Sequence, residues 1–250
     1  MFARNAMPLP TKSKLEKARL NDKRKGAIMP NNIKLFTVTW STDTAGPSPN
    51  ENMRTEVFFK GCNKAITGNA CLGCFNSPLW QDDAQYTYTP EAIASQIKEH
   101  APSKYVTIGG GEPTDQLEGL IELTRLLKED GFHIMVYTWK DLYSVLHNHT
   151  GEREGFLQLL QNIDMMVDGI FDPKERLYKM HEGDGLLSSV GSGNQTIWDV
   201  RDYRLSGHEL SGYKMRDLAG LHLKMNDDLV YITTEAKEPI KLTVSQKGAA

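Results

Sequence analysis

The chain has 250 residues, of which 39% are hydrophobic and 24% charged, with a formal net charge of −3. That composition supplies one sizeable core, and the absence of any run of about 18 apolar residues excludes a membrane-spanning helix. Only three cysteines occur and no apolar signal-peptide core stands near the N-terminus, so a disulfide framework is excluded and a cytoplasmic, reducing location is expected.

Taken along the chain, residues 1–29 come first as a basic leader, with eight Lys and Arg against Glu16 and Asp22, a balance of +6 on an otherwise acidic body. A solvated, partly helical face is the more frequent reason for such a run. Docking to an acidic partner or to nucleic acid is the sharper reading, and the two acids and few serines argue against a targeting peptide. Strands are expected at Leu35 to Thr39 and Thr55 to Phe59. Thr89, Pro90 and Glu91 then open a helix that runs to His100. Tyr105 to Ile108 is a β-branched and aromatic run that reads as a buried strand. Leu117, Leu120, Ile121, Leu123, Thr124 and Leu127 recur at helical spacing, and Asp130-Gly131 ends that helix before a strand at Ile134 to Tyr137. A helix around Phe156 to Leu160 and a strand at Ile163 to Val167 complete an alternation that reads as α/β with a parallel sheet. Beyond Gly207 the pattern changes, and Leu229 to Thr233 and Ile240 to Val244 alternate like two strands of a hairpin. The organisation expected is a leader over 1–33, a core over 34–206 and a C-terminal β extension over 207–250.

Chemistry concentrates in two segments. Cys62, Cys71 and Cys74 all fall within one short stretch, after the strand Thr55 to Phe59. A structural zinc site closes its shell with four ligands and an ordinary iron–sulfur carrier uses four cysteines, so a set of three leaves one metal corner open. On the cysteines alone, zinc completed by His100 or His133 and an iron–sulfur cluster are equally served. The second segment is Gly109-Gly110-Gly111-Glu112-Pro113, where a strand ends in glycines that let another molecule approach the backbone closely. In parallel α/β folds ligands sit at the carboxyl ends of strands, which brings this segment beside the cysteine loop. A tight strand-to-helix turn opened by Pro113 explains the same glycines without a ligand.

Both motifs, in this order, resemble the radical S-adenosylmethionine superfamily. Ala45-Gly46-Pro47, Arg54, Phe58-Phe59-Lys60-Gly61-Cys62, Asn76 and Trp80 resemble the opening of the activating enzymes that install glycyl radicals. Val136-Tyr137-Thr138-Trp139, Val167-Asp168-Gly169 with Phe171-Asp172 and Arg176, and Gly191-Ser192-Gly193-Asn194-Gln195 resemble later segments of the activating protein of anaerobic ribonucleotide reductase. The resemblance implies an incomplete (β/α) barrel and a 4Fe-4S cluster on Cys62, Cys71 and Cys74. It also implies S-adenosylmethionine on the open iron, its amino end engaged by Gly109, Gly110, Gly111 and Glu112. Reductive cleavage of that cofactor to a 5′-deoxyadenosyl radical would generate a glycyl radical on a partner enzyme, with flavodoxin or ferredoxin as electron donor. Thr138 and Asp168 each close an expected strand and so face the same mouth, toward the methionine or ribose end. A helix N-cap for Thr138 and a turn for Asp168-Gly169 are the plain alternatives. One departure from the family stands out: eight residues separate Cys62 from Cys71 where the family places three. Other readings are a radical S-adenosylmethionine enzyme acting on a small molecule, of the 7-deazaguanine synthesis type, and a zinc-stabilised module whose leader contacts nucleic acid.

Overall fold

Four short runs of buried apolar residues lie side by side and parallel: β2 (Arg54–Phe59), β4 (Tyr105–Gly110), β5 (His133–Tyr137) and β6 (Met165–Asp168). Strands buried on both faces need no alternation, which is why β4 and β6 read as continuous apolar stretches. In the computed structural model residues 31–42, 54–83, 86–147, 151–176, 191–226, 229–234 and 238–244 are described. The basic leader and the Ala45-Gly46-Pro47 turn lie outside them.

Around the parallel strands the sheet continues with antiparallel neighbours to a total of nine, in the order β11-β8-β7-β6-β5-β4-β2-β1-β3. Here β1 is Ile33–Thr42, β3 Thr87–Tyr88, β7 Thr196–Asp199, β8 Glu209–Lys214 and β11 Ile240–Thr243. The architecture is therefore a mixed α/β sheet that does not close. The crossovers are α2 (Pro90–His100), α3 (Leu117–Glu129) and α5 (Arg153–Asn162), with short helices α1 (Asn63–Ile66), α4 (Leu142–His147) and α6 (Arg201–Ser206) between. The start of α2 follows from its sequence, since the Thr89 hydroxyl accepts from the Ala92 N–H at 3.3 Å and Pro90 takes the first position. α3 packs between α2 and α5, buries Leu120, Leu123 and Leu127, and stops where Gly131 turns to φ +77°. These side chains close the main core with Val57, Phe59, Ile108, Phe132 and Phe156.

The C-terminal strands pair differently from the expectation. Leu229 to Thr233 and Ile240 to Val244 do not form a hairpin with each other. β10 (Leu229–Thr234) pairs instead with β9 (Leu221–Asn226), its nearest neighbour in sequence, and β11 pairs with β8. Local pairing claims β10 first. β11 instead joins the main sheet, where Leu242 and Val244 are buried. Both β8 and β11 thus extend the main sheet beyond residue 206.

The amino ends of the parallel strands carry a buried charge network. Arg54 donates to the Thr107 hydroxyl at 2.8 Å and to the Val106 carbonyl at 2.6 Å, and one of its Nη atoms lies 3.4 Å from His133 Nδ1. Asp164 accepts from Lys128, Arg204 and the Ile134 N–H, and these cations with His133 hold its carboxyl down to about 2 despite burial. Burial holds His133 neutral, its pKa pulled down to about 3, with Arg54, Lys128 and Arg204 acting in the same direction and Asp164 opposing. Its Nε2 is buried without a hydrogen-bond partner.

A pH dependence follows. A histidine whose folded pKa is depressed binds its proton preferentially in the unfolded chain, so its contribution is intact above about 6.5 and declines as pH falls toward about 3. We expect stability to drop by up to ~1.4 kcal/mol per pH unit across that window. Urea unfolding of the His133→Leu variant between pH 7 and 4 is expected to show a flatter curve. An unchanged slope would mean that another group governs the acid limb.

Candidate metal centre

The cysteine loop leaves β2 at its carboxyl end and returns beside it. Gly61 and Cys62 donate backbone N–H groups to the Leu79 and Trp80 carbonyls at 2.8 and 3.1 Å, which closes the loop at its base. Cys62 occupies the position before α1, and its carbonyl accepts from the Ala65 and Ile66 N–H groups. The extended excursion is spent on this single helical turn, whose first N–H is capped by Asp115 at 2.6 Å. Ile66, Thr67, Gly68 and Asn69 are exposed, so the excursion bulges outward, leaving Cys62 buried and Cys71 and Cys74 half-buried.

Two sides of the loop are held by neighbouring strand ends. On the β4 side, Gly111 and Glu112 donate their N–H groups to the Phe59 and Gly61 carbonyls at 2.9 and 2.8 Å, and the Asn76 amide donates to the Gly110 carbonyl at 2.8 Å. On the β6 side, Phe75 meets Phe171 edge-on at 4.8 Å between ring centroids, and the Arg176 guanidinium lies 4.4 Å from the Phe75 ring centroid. The turn 191–195 braces that second side: Gln195 and Asn194 donate to the Gly169 and Ile170 carbonyls, both at 2.9 Å, and Asp172 donates its N–H to the Ser192 hydroxyl. Asn194 and Gln195, for which the sequence suggested no role, are thus scaffolding for the loop against which the cysteines pack.

The glycine segment packs closely on the base of the cysteine loop. A Cβ on Gly110, which has φ +117°, would fall 2.3 Å from the Phe59 carbonyl oxygen, and one on Gly111 would fall 2.1 Å from that of Gly61. What approaches these two glycines is the chain's own backbone at residues 59–61. At Gly109 a Cβ would meet only the Tyr137 Cβ, at 4.0 Å, and space remains.

Glu112, Thr138 and Asp168 form a buried polar layer at the carboxyl ends of β4, β5 and β6. Glu112 Oε1 accepts from both the N–H (3.0 Å) and the hydroxyl (2.6 Å) of Thr114, and Oε2 accepts from the Trp139 N–H at 2.9 Å. Burial nevertheless pushes its carboxyl up. Thr138 Oγ1 accepts from the Lys140 N–H at 3.1 Å, a turn two residues long, and lies 3.4 Å from the Thr114 hydroxyl, while the first turn of α4 is capped by Asp141, whose Oδ1 accepts from the Ser144 N–H at 2.7 Å. Asp168 Oδ2 accepts from the Leu142 N–H at 2.7 Å, and burial pushes its carboxyl up to about 6, against the Leu142 amide, the Trp198 indole and the Lys214 ammonium. Sequence reading missed Lys140, a buried ammonium paired with Glu152 at 2.5 Å and with Asp115 at 3.5 Å. No local pattern signals it, because its partners come from other elements.

The donor set fits an iron–sulfur cluster. All three thiols are free and share one loop. Burial pushes the Cys62 and Cys71 thiols up, and each also feels a neighbouring thiol and Glu112. Among the described residues no three His, Cys, Asp or Glu side chains converge on a single-ion site. A cluster asks only that each thiolate reach its own iron. The histidines weighed as a fourth zinc ligand stand at the other end of the strands: His133 opens β5 opposite Tyr105, and His100 packs on Trp40. A five-residue strand is about 16 Å long.

The comparisons agree with this donor set. Residues 49–198, more than half of the chain, match the family described as 4Fe-4S single cluster domain. The chain is also 31% identical over 103 residues to the pyruvate formate-lyase-activating enzyme of Clostridium pasteurianum, a match that spans 39% of this chain and 41% of that protein. Both bear out the resemblance to radical S-adenosylmethionine activases read from the sequence. With three free thiols on one braced loop and a family match that encloses them all, this chain belongs to the 4Fe-4S single cluster domain family.

Proposed function

We propose that the protein is an activase that cleaves S-adenosylmethionine reductively and generates a glycyl radical on a partner enzyme, an anaerobic ribonucleoside-triphosphate reductase. The observation that carries this reading is the set of three free thiols at the carboxyl ends of parallel strands, on a loop whose backbone is locked to Gly111 and Glu112. A relative named for the activation of pyruvate formate-lyase supports it, although the match reaches only 41% of that relative's length. Cys62, Cys71 and Cys74 would hold the 4Fe-4S cluster. Bound together, cluster and S-adenosylmethionine supply a one-electron scission of a carbon–sulfur bond and a radical that takes a hydrogen atom from glycine.

The chain's own part is binding, orientation and exclusion of water. The open backbone at Gly109 leaves room for the cofactor's amino-acid end. Glu112 has three of its acceptor positions filled from Thr114 and Trp139, so one remains on Oε2 for an ammonium group. Thr138 and Asp168, at the ends of β5 and β6, would flank the methionine or ribose end. In this reading the parallel strands are part of an incomplete (β/α) barrel whose open side admits a large protein substrate. A flavodoxin or ferredoxin would deliver the electron, in a reducing cytoplasm. Among the described residues no helix is long and apolar enough to cross a membrane.

Anaerobic incubation of the reduced, cluster-loaded protein with S-adenosylmethionine is expected to release methionine and 5′-deoxyadenosine. Adding the reductase should then produce the doublet resonance of a glycyl radical on that partner. Four-iron protein that releases no 5′-deoxyadenosine would contradict the proposal.

A further inference from the structure

We propose that Lys64 is a potential-setting residue: a cation that the lengthened cysteine loop turns over the cluster site, raising the reduction potential of the cluster. The inference rests on the 4Fe-4S reading of Cys62, Cys71 and Cys74. Lys64 is the second residue of α1, inside the excursion that distinguishes this loop. Asn63 and Ile66 on the same turn are exposed, whereas Lys64 is half-buried. Its Nζ lies 5.0 Å from the centroid of the Trp139 ring, two residues beyond the end of β5. The sheet order is β2-β4-β5, so a lysine that leaves the end of β2 and reaches the end of β5 passes over the end of β4, where Glu112 stands. The Trp139 backbone is itself fixed there by its N–H bond to Glu112.

Charge balance sets Lys64 apart from its neighbours. Lys60 is paired with Asp83 at 2.5 Å, and Lys140 with Glu152 and Asp115. Lys64 makes no ion pair among the described residues, and the indole face that holds its ammonium supplies a quadrupole without a negative charge. It is thus a fixed positive charge on the turn that opens the cysteine loop, two residues from Cys62, held by an indole face and by no carboxylate among the described residues. A reduced cluster carries one more electron than the oxidised one, so a fixed cation nearby stabilises the reduced form more. Partial burial of the pair limits screening by salt.

The test is a potentiometric titration of the reduced-cluster resonance in the full chain, after anaerobic reconstitution and iron and sulfide analysis. Lys64→Met is expected to titrate at a more negative potential than the native protein, and Lys64→Glu at one more negative still. Lys64→Arg, which keeps the charge, should match the native value, as should Lys60→Met, which removes a charge already paired with Asp83. Native, Lys64→Met and Lys64→Glu curves that superimpose would overturn the proposal, as would an equal shift in Lys60→Met. Absence of a four-iron cluster from the native protein is read separately, in the metal analysis, and would remove the cluster reading and this inference together.

Discussion

Alanine at any one of Cys62, Cys71 or Cys74 is expected to abolish uptake of a four-iron cluster and to lower reductive cleavage of S-adenosylmethionine at least a thousandfold, which corresponds to ~4 kcal/mol of lost barrier reduction. The reason is the size of the donor set. These are the chain's only three cysteines, and no fourth thiol stands by to replace a missing one. Cys62 gives the most informative variant, because it alone sits beyond the lengthened excursion. It is buried, and its backbone is tied to the Trp80 carbonyl. The excursion itself bulges to solvent through Ile66 to Asn69, so it does not carry Cys62 away from the strand end. Iron content and visible absorption of the three variants, purified anaerobically, provide the check. Full iron loading in Cys62→Ala would show that the excursion has removed this residue from the ligand set.

The second large effect belongs to Gly111. A methyl group there would sit 2.1 Å from the Gly61 carbonyl oxygen, 2.8 Å from the Gly61 carbonyl carbon and 3.0 Å from the Leu79 carbonyl oxygen. All three are backbone atoms of the cysteine loop's base, so none yields by a side-chain rotation. The Glu112 N–H bond to Gly61 is made at the same point. Gly111→Ala should therefore cost ~3 kcal/mol, the upper end of ordinary overpacking. For a chain of this length that lowers the melting temperature by about 10 °C. Cluster uptake should fail with it, because the loop must move away from β4. Gly109→Ala is the matched control: its Cβ has only the Tyr137 Cβ at 4.0 Å, and stability should stay within ~0.5 kcal/mol of the native value. Calorimetry of the two variants separates a glycine demanded by the fold from one left open to a ligand. Equal losses in both would contradict the assignment.

Elements with a strong period were legible before the structure. α2 announces itself through Thr89 and Pro90, and α3 through leucines at helical spacing, because capping chemistry and amphipathic burial are written locally. The parallel strands were legible as short apolar runs between those helices. β7 and β8 were missed. Thr196 to Asp199 is only four residues long, and Glu209 to Lys214 contains Gly212, against which the Trp198 ring packs. A tertiary contact of that kind leaves no periodic trace. The same holds at the site. The cysteines and the glycine segment were visible as a pattern, yet the pattern did not show that the base of the cysteine loop packs on Gly110 and Gly111, since sequence alone cannot distinguish a backbone approached by a ligand from one approached by its own neighbouring loop. The settings of Lys64 and Lys140 were invisible for a related reason. Their meaning lies in what faces them, Trp139 in one case and Asp115 with Glu152 in the other.

The central claim is an open-iron cluster on three cysteines, and it is tested most directly by the electron paramagnetic resonance spectrum of the anaerobically reduced protein before and after addition of S-adenosylmethionine, with iron and sulfide determined on the same sample. The account predicts four irons per chain and a reduced-cluster signal whose shape changes when S-adenosylmethionine is added. Zinc in place of iron, or a four-iron signal indifferent to S-adenosylmethionine, would contradict it.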